Sequence, residues 1–206
     1  MIDLRNIKNI IFDLGGVILN IDYQLTIDAF KKLSLNNFDQ FYSQFTQNDL
    51  LIAMEKGEIT PQEFRIQLRK YISKPVSDIM IDNAWNAMLL DFPPERIVLL
   101  QMLKNKYRTF LLSNTNSIHL DFYSNLLNQK FDLQNLSHLF EKEYYSHELK
   151  MKKPDSEIFE YVLRENDLIP SETLFIDDTS IHVESAIKLG INGYLLKKGE
   201  SITDIL

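Results

Sequence analysis

Five short, largely apolar segments of the chain predict the strands of a sheet. They lie at residues 8–13, 107–112, 140–145, 174–176 and 193–196. Short runs of consecutive apolar residues are typical of strands that are buried on both faces. Helical patterns separate the later strands, at 94–104, after Asn116, at 154–165 and at 179–189. This alternation predicts an α/β fold, a Rossmann-like parallel sheet covered by helices on both faces.

The segment between the first strand and Pro93 has an entirely helical pattern. Its apolar spacing predicts helices at 26–33, 38–45, 50–56, 60–71 and 76–88. Thr60, Pro61 and Glu63 match a capping threonine, a proline at the first helical position and a capping-box glutamate. This block interrupts the alternation of strands and helices, so we predict an inserted all-helical cap over the carboxyl edge of the sheet, where open parallel sheets bind ligands. The predicted organisation is a Rossmann-like core of residues 1–17 and 91–206 with a helical cap of residues 18–90.

Composition and charge narrow the class of protein. The chain has 206 residues, 45% of them hydrophobic, and a formal net charge of −7. The negative charge argues against a nucleic-acid partner, since phosphate backbones favour clustered Lys and Arg. The absence of cysteine excludes disulfides, thiolate catalysis and cysteine metal sites. No signal-type apolar region follows Met1 and no segment is long and apolar enough to span a membrane. We therefore expect a cytoplasmic protein without a membrane partner, its oligomeric state left open.

Functional groups stand at the ends of predicted strands or at the start of a helix. Asp13 ends the first strand beside two glycines, which let the backbone turn sharply and approach a ligand. Ser113-Asn114-Thr115 follows the second strand, Lys153-Pro154 precedes a helix, and Asp177-Asp178 follows the fourth strand. In a right-handed parallel sheet these ends converge on one crevice.

This set of groups favours a phosphate ligand held by a metal ion. Carboxylates placed close together repel one another unless a divalent cation lies between them, and an all-oxygen cluster suits Mg²⁺. The metal and Lys153 would offset the charge of a phosphate, while Ser113 and backbone N–H groups hold its oxygens. Such a site stabilises a transferred phosphoryl group. Asp13 could then act as a nucleophile, forming an aspartyl-phosphate that water hydrolyses.

The order of these motifs resembles that of the haloacid dehalogenase-like hydrolase superfamily. The motifs are Phe12-Asp13-Leu14-Gly15-Gly16-Val17, Leu112-Ser113-Asn114-Thr115, Lys152-Lys153-Pro154-Asp155 and Phe175-Ile176-Asp177-Asp178. Each is weakly specific alone, but the four occur in the family's order over nearly the whole chain, with a helical block in the family's cap position. The Asp-x-Gly-x-Val opening, the Ser-Asn-Thr-Asn of the second motif and Glu55-Lys56-Gly57-Glu58-Ile59 are similar to a helical-cap branch that includes bacterial phosphatases of glucose 1-phosphate.

The resemblance implies roles for the residues that bind and transfer the phosphate. Asp13 would be the nucleophile and also a metal ligand. Ser113 and Asn114 would hold the phosphoryl oxygens, and Lys153 would pair with both the nucleophile and the phosphate. Together they imply a magnesium-dependent phosphatase acting on a small phosphorylated metabolite, for example a sugar phosphate.

The resemblance also implies a metal shell, with one departure. Asp178 would be the main acidic metal ligand of the last motif with Asp177 beside it, and the backbone carbonyl of Gly15 would complete the protein's share. Most phosphatases of the superfamily have an acid–base aspartate at the position of Gly15. Because such help is worth about two to four powers of ten in rate, we expect a slow enzyme, or one whose acid comes from elsewhere, with Asp22 as a candidate.

Two other functions are compatible with parts of the pattern. Haloacid dehalogenation uses a nucleophilic aspartate without metal and also lacks the second aspartate, but Asp177-Asp178 would repel an anionic substrate. A non-catalytic domain that binds phosphate esters, or a regulatory domain, is compatible with the missing acid at Gly15. Halide release from 2-haloacids, or binding of phosphate esters without turnover, would distinguish these functions from phosphatase activity.

The histidines and the aromatic residues of the helical block have structural interpretations. The four histidines, none with the spacing of metal ligands, are His119, His138, His147 and His182. We expect them at the surface or in packing positions. Trp85 and Met88 lie on an apolar helical face, and we expect them in the core of the cap rather than in contact with substrate.

Overall fold

The computed structural model describes residues 2–35 and 49–206 and contains a five-stranded sheet with apolar clusters on both faces. Its strands are β1 (Asn9–Phe12), β2 (Arg108–Ser113), β3 (Lys142–Tyr145), β4 (Thr173–Asp177) and β5 (Asn192–Leu195), in the spatial order β3-β2-β1-β4-β5. All four neighbouring pairs are parallel, so the carboxyl ends of the strands meet at one edge. The predicted α/β fold with a parallel sheet is confirmed.

Helices connect the strands and also form the block between β1 and β2. In chain order they are α1 (Tyr23–Lys32), α2 (Asp49–Glu55), α3 (Pro61–Arg69), α4 (Asp78–Asn86), α5 (Pro94–Leu103), α6 (Ser117–Phe131), α7 (Ser146–Leu149), α8 (Ser156–Glu165), α9 (Ser180–Lys188) and α10 (Ile202–Ile205). The helix predicted at 38–45 lies outside the described residues. Within the described part of the chain, no helix has both the length and the apolar character needed to cross a membrane.

Local hydrogen bonds set most helix boundaries. The hydroxyl of Thr60 accepts from the backbone N–H of Glu63 at 3.2 Å, and the Glu63 carboxylate accepts from the N–H of Thr60 at 2.8 Å. The predicted capping box of α3 is therefore confirmed. By contrast, α8 begins at Ser156 and not at Pro154 as predicted. The N–H of Asp155 donates to the carbonyl of Lys152 at 3.0 Å, so a turn closes before the helix begins.

Side chains of the central strand alternate between two apolar layers. Ile10 and Phe12 belong to one cluster and Ile11 belongs to another on the opposite face, and all three are fully buried. Full burial of one such side chain stabilises the fold by about 1.5–3 kcal/mol. Because both faces of β1 are buried, its sequence is a continuous apolar run and does not alternate between apolar and polar residues.

Helices α1 to α4 surround a third apolar cluster. Phe30, Phe64 and Trp85 meet there, with the rings of Phe64 and Trp85 at a centroid distance of 5.1 Å. Ile118 at the start of α6 joins the same cluster. Trp85 and Met88 are both buried, as expected. The helical block therefore has a core of its own, distinct from the two layers that cover the sheet.

The chain enters and leaves this helical block through two paired segments. Residues 20–22 and 88–91 run antiparallel, with Ile21 opposite Leu89. The N–H of Asn20 donates to the carbonyl of Asp91 at 2.9 Å, and the N–H of Asp22 donates to the carbonyl of Met88 at 2.8 Å. The two connections thus form one short ribbon near the predicted boundaries of the cap.

Candidate active site

A buried lysine joins two aspartates at the carboxyl edge of the sheet. Lys153 Nζ lies 2.7 Å from Oδ1 of Asp13 and 2.7 Å from Oδ2 of Asp177. Asp13 follows the central strand β1, and Asp177 ends its neighbour β4. The side chains of Lys153 and Asp177 have no exposed surface, and that of Asp13 is 12% exposed. The structure thus brings together residues that are 140 and 24 positions apart in the chain.

The loop that carries Lys153 is held by Asn114. The side-chain amide of Asn114 donates to the carbonyl of Lys153 at 2.9 Å, and its oxygen accepts from the N–H of Lys153 at 2.9 Å. These two bonds join the loop after β2 to the loop before α8. Asn114 also lines the cavity, whereas Ser113 is buried and is not among the residues found in the cavity wall. The predicted phosphate contacts of Ser113 and Asn114 remain predictions.

Asp177 is held at the start of α9 as well as by Lys153. Its Oδ1 accepts from the N–H of Thr179 at 2.8 Å, and its Oδ2 lies 3.0 Å from Nδ1 of His182. Burial alone would raise the pKa of Asp177, but the charge of Lys153 and the hydrogen bonds from His182 and Lys153 outweigh it and lower the pKa to about 2. Asp177 is therefore ionised, and both of its oxygens have protein partners.

Asp13, Asp177 and Asp178 form a cluster of carboxylates suited to a cation. Each offers one oxygen, and these oxygens lie within 4.8 Å of one another. Burial raises the pKa of Asp13 to about 7 despite the opposing charge of Lys153, and the two neighbouring carboxylates raise it as well. Burial and the charge of Asp177 raise the pKa of Asp178 to about 6. Burial and neighbouring charge disfavour the ionised form of both carboxyl groups. A divalent cation bound between them would offset this effect.

Gly16, the second glycine after Asp13, leaves the space that the side chain of Asp178 occupies. Gly16 has a φ of +73°, and a Cβ atom added there would overlap Oδ2 of Asp178. Gly15 also lines the cavity. Asp22, the candidate acid, is exposed and caps α1 by accepting from the N–H of Gln24 at 2.9 Å. It is not among the described residues that line the cavity, so its position favours a capping role.

These groups face a cavity of about 500 Å³ between the sheet edge and the helical block. The block contributes Tyr23, Ile52, Trp85 and Met88 to its wall. The volume falls in the range that binds small ligands. Trp85 and Met88 are therefore core residues that also face the cavity, a role that the sequence analysis did not assign to them.

Two histidines are part of this site although the sequence analysis gave them only packing or surface positions. His182 contacts Asp177, and His119 lines the cavity beside Trp85. Each lies in the first turn of a helix that follows a strand end, α9 after β4 and α6 after β2. That position is the signal that could have found them, because the first turn of such a helix lies near the ligand crevice.

The helical block contacts the loops at the carboxyl edge of the sheet through the end of α2. Lys152 Nζ lies 2.5 Å from Oε2 of Glu55, and both side chains are mostly buried. The hydroxyl of Ser146 lies 2.7 Å from the carbonyl of Glu55 and accepts from the N–H of Thr115 at 2.9 Å. Lys150 also contacts the carbonyl of Gly57. The end of α2 is thus connected both to the loop of Lys153 and to the loop after β2.

Comparisons with known proteins agree with this architecture. A D-ribitol-5-phosphate phosphatase from Bacteroides thetaiotaomicron is 31% identical over 94% of this chain and 93% of its own length. A sesquiterpene phosphatase from Aspergillus oryzae is 28% identical over 90% of this chain and 88% of its own. A structure of a HAD-family enzyme from Bacteroides thetaiotaomicron, an aspartate-to-alanine variant in complex with magnesium and inorganic phosphate, has a TM-score of 0.92 at 40% identity, covering 97% of this chain and 98% of that one.

A more distant similarity concerns the fold alone. An L-2-haloacid dehalogenase from Xanthobacter autotrophicus has a TM-score of 0.58 at 16% identity, covering 92% of this chain and 77% of that one. The family of haloacid dehalogenase-like hydrolases matches residues 10–195, a range that includes all four motifs from which the superfamily was predicted. This protein therefore belongs to the haloacid dehalogenase-like hydrolases.

Proposed function

We propose that the protein is a magnesium-dependent phosphatase of a small sugar or polyol phosphate, acting through an aspartyl-phosphate on Asp13. The observation that carries the proposal is the contact of Lys153 with Asp13 beside two further aspartates at a cavity. A carboxylate nucleophile, a fixed ammonium group and a cation site are the parts that phosphoryl transfer needs. The related ribitol phosphate phosphatase and the magnesium and phosphate complex of a relative support this choice.

Asp13, Asp178 and the carbonyl of Gly15 are the groups we expect to hold the metal. Both oxygens of Asp177 already have partners, so we propose that Asp177 mainly orients Lys153 and the cluster. An all-oxygen set of this kind suits Mg²⁺. When bound, the cation supplies positive charge that offsets the charge of the phosphate.

In the reaction, an oxygen of Asp13 bonds to phosphorus as the bond between phosphorus and the leaving oxygen breaks. The ammonium group of Lys153 stabilises the equatorial oxygens during this transfer, and Ser113 and Asn114 lie on the loop placed to hold them. The leaving alcohol takes a proton from water, because Gly15 offers no acid. Water then attacks the phosphoryl group of the intermediate, releasing inorganic phosphate and restoring Asp13. We expect slow turnover, since general acid help of about two to four powers of ten is missing.

We propose that residues 18–90 act as a cap that encloses the substrate. The helical block has its own apolar core and contributes side chains to the cavity wall. Enclosure would exclude water from the attacking oxygen of Asp13 and strengthen its interaction with Lys153. The contacts of Glu55 with Lys152 and Ser146, and of Asn86 with His119, join this block to the loops at the edge of the sheet and support the proposal.

A screen of phosphorylated metabolites with added Mg²⁺ tests the proposal. We expect release of inorganic phosphate from at least one sugar or polyol phosphate, loss of that activity in EDTA, and its loss in Asp13→Asn. Hydrolysis that survives either treatment would contradict the proposed mechanism. Binding of phosphate esters without any turnover would instead indicate a non-catalytic domain, and halide release from 2-haloacids would indicate a dehalogenase.

A further inference from the structure

Besides the acidic cluster, the cavity is lined by a stacked pair of rings. The rings of Trp85 and His119 are 4.9 Å apart between centroids and inclined by 11°. Trp85 comes from α4 in the helical block, and His119 comes from the first turn of α6 beside the sheet. Both line the cavity although only a small part of each is exposed, 3% and 8%. This pair is therefore a fixed part of the cavity wall and not a mobile surface feature.

Hydrogen bonds hold the imidazole of His119 in one orientation. Its Nδ1 lies 2.8 Å from Oδ1 of Asn86, and its backbone N–H donates to Oδ1 of Asn116 at 3.1 Å. Asn116 also accepts from the indole N–H of Trp85 at 3.4 Å. Because the oxygen of Asn86 only accepts, Nδ1 must carry the proton. The other ring nitrogen, Nε2, is then a bare acceptor.

Nε2 of His119 faces this wall without a hydrogen-bond partner among the described residues. Among residues 2–35 and 49–206 no hydrogen bond to it is found. Burial lowers the pKa of His119 to about 3, so the ring is neutral at physiological pH. A neutral acceptor that faces the cavity can take a hydrogen bond from a ligand that brings a donor.

We propose that His119, oriented by Asn86 and stacked on Trp85, binds a hydroxyl group on the carbon chain of the substrate. The inference rests on the proposed phosphatase function. It concerns the part of the cavity that would bind the carbon chain of the substrate. A hydroxyl group donates to Nε2, and the C–H face of a polyol or sugar packs on an aromatic ring. A carboxylate on the substrate would present only acceptors to Nε2, and an alkyl chain would leave Nε2 unpaired.

The test compares two phosphate esters of equal chain length that differ only in hydroxyl groups. A pentitol 5-phosphate and n-pentyl phosphate are assayed with Mg²⁺, and the quantity measured is the ratio of their kcat/KM values. We expect the wild-type protein to prefer the pentitol ester. His119→Phe keeps a flat ring but removes both nitrogens, so we expect the ratio to fall about tenfold or more, as a site built for a hydroxyl should respond. His119→Gln keeps a polar group at similar reach and should restore part of the preference.

Two further variants make the test decisive. Asn86→Leu leaves His119 in place but removes the bond that orients its ring, and we expect it to lower the same ratio. It serves alone if His119→Phe does not fold, as judged by circular dichroism. His138→Phe is the matched control, since His138 is exposed at the end of a short 3-10 helix and should leave the ratio at the wild-type value.

The possible failures can be told apart. If the wild-type protein hydrolyses neither ester nor any other phosphate, the proposed function fails and the inference falls with it. If it hydrolyses both esters and the His119 and Asn86 variants change the two rates equally, only the inference is overturned. A wild-type ratio near one, with both esters turned over, would overturn it as well.

Discussion

Gly16 illustrates how a single residue without a side chain can shape a cluster of carboxylates. Its φ of +73° lies in a region that glycine tolerates, and the space where a Cβ would stand is occupied by the Asp178 carboxylate. This glycine, three residues after Asp13, therefore allows a carboxylate from another strand end to approach the backbone closely. The residue acts on the acidic cluster although it contributes no functional group.

Gly16→Ala should weaken Mg²⁺ binding about tenfold or more, because the new methyl group would displace Asp178. Isothermal titration with Mg²⁺ measures the change. Gly199→Ala is a suitable control, since Gly199 has a φ of +90° with nothing within 4 Å of an added Cβ. Both variants should lose stability from the backbone strain, by about 1 kcal/mol. Equal Mg²⁺ affinities in the two variants would contradict the displacement of Asp178.

The raised pKa values of Asp13 and Asp178, about 7 and about 6, predict a pH-dependent affinity for Mg²⁺. At low pH the metal must displace protons from both carboxyl groups, whereas at high pH both are already ionised. We expect the affinity to rise from about pH 6 to about pH 8 and to level off above that range. Titration calorimetry in two buffers of different ionisation enthalpy should detect proton release at the lower pH. An affinity that is constant across this range would exclude these carboxyls as the ligands.

At the scale of elements, the end of α2 is one of the links between the helical block and the loops at the carboxyl edge of the sheet. Glu55 contacts both Lys152 and Ser146 there, and Lys152 precedes the lysine that bonds to Asp13. Ion pairs that are mostly shielded from water couple their elements more strongly than exposed ones. The orientation of α2 and the position of Lys153 should therefore depend on each other.

A double-mutant cycle with Glu55→Gln and Lys152→Gln measures this dependence. We expect a coupling energy of about 1 kcal/mol in kcat/KM, because each single variant already breaks the pair and the second change adds little. The matched control is the pair of Lys142 and Glu165, which has a similar distance of 2.7 Å but is far more exposed. A cycle on that pair should show almost no coupling in activity. Similar coupling in both cycles would indicate a general charge effect.

The elements also show what the sequence could and could not predict. The central strands β1, β2 and β4 were predicted because they are almost fully buried and consist largely of apolar residues. The edge strands β3 and β5 were also predicted, although they are more exposed. The convergence of Asp13, Lys153 and Asp177 followed from topology, since parallel strands end at one edge. His119 and His182 were missed because we considered only their spacing as metal ligands and not their position in the first turn of helices that follow strand ends. The start of α8 was wrong because a turn after Lys152 overrides the preference of Pro154 for the first helical position.

At the scale of the whole molecule, the active site lowers the stability of the protein that contains it. The folded-state pKa of Asp13 lies above its value in an unfolded chain. The folded protein therefore binds a proton that the unfolded chain has already released, and stability falls as pH rises through this range. Function and stability thus make opposite demands on the same carboxylate.

Asp13→Asn should remove the loss of stability that the raised pKa of Asp13 causes at high pH. In EDTA, we expect the variant to gain stability over the wild-type protein as pH rises from about 5 to about 8, by on the order of 1–2 kcal/mol. Urea unfolding at several pH values measures the difference. The lowered pKa of His119 has the opposite pH dependence, but it is present in both proteins and cancels. Saturating Mg²⁺ should restore the stability of the wild-type protein at high pH. If the free energies of unfolding of the two proteins changed in parallel with pH in EDTA, burial would not raise the pKa of Asp13.

The paired segments at residues 20–22 and 88–91 suggest how the helical block between them could be deleted. Antiparallel partners lie about 5 Å apart, and a two-residue turn is enough to join them. The N–H of Asp22 already bonds to the carbonyl of Met88. We expect that the whole intervening stretch could be excised and the ends rejoined by a tight hairpin, leaving the sheet intact and its ligand edge open to larger molecules.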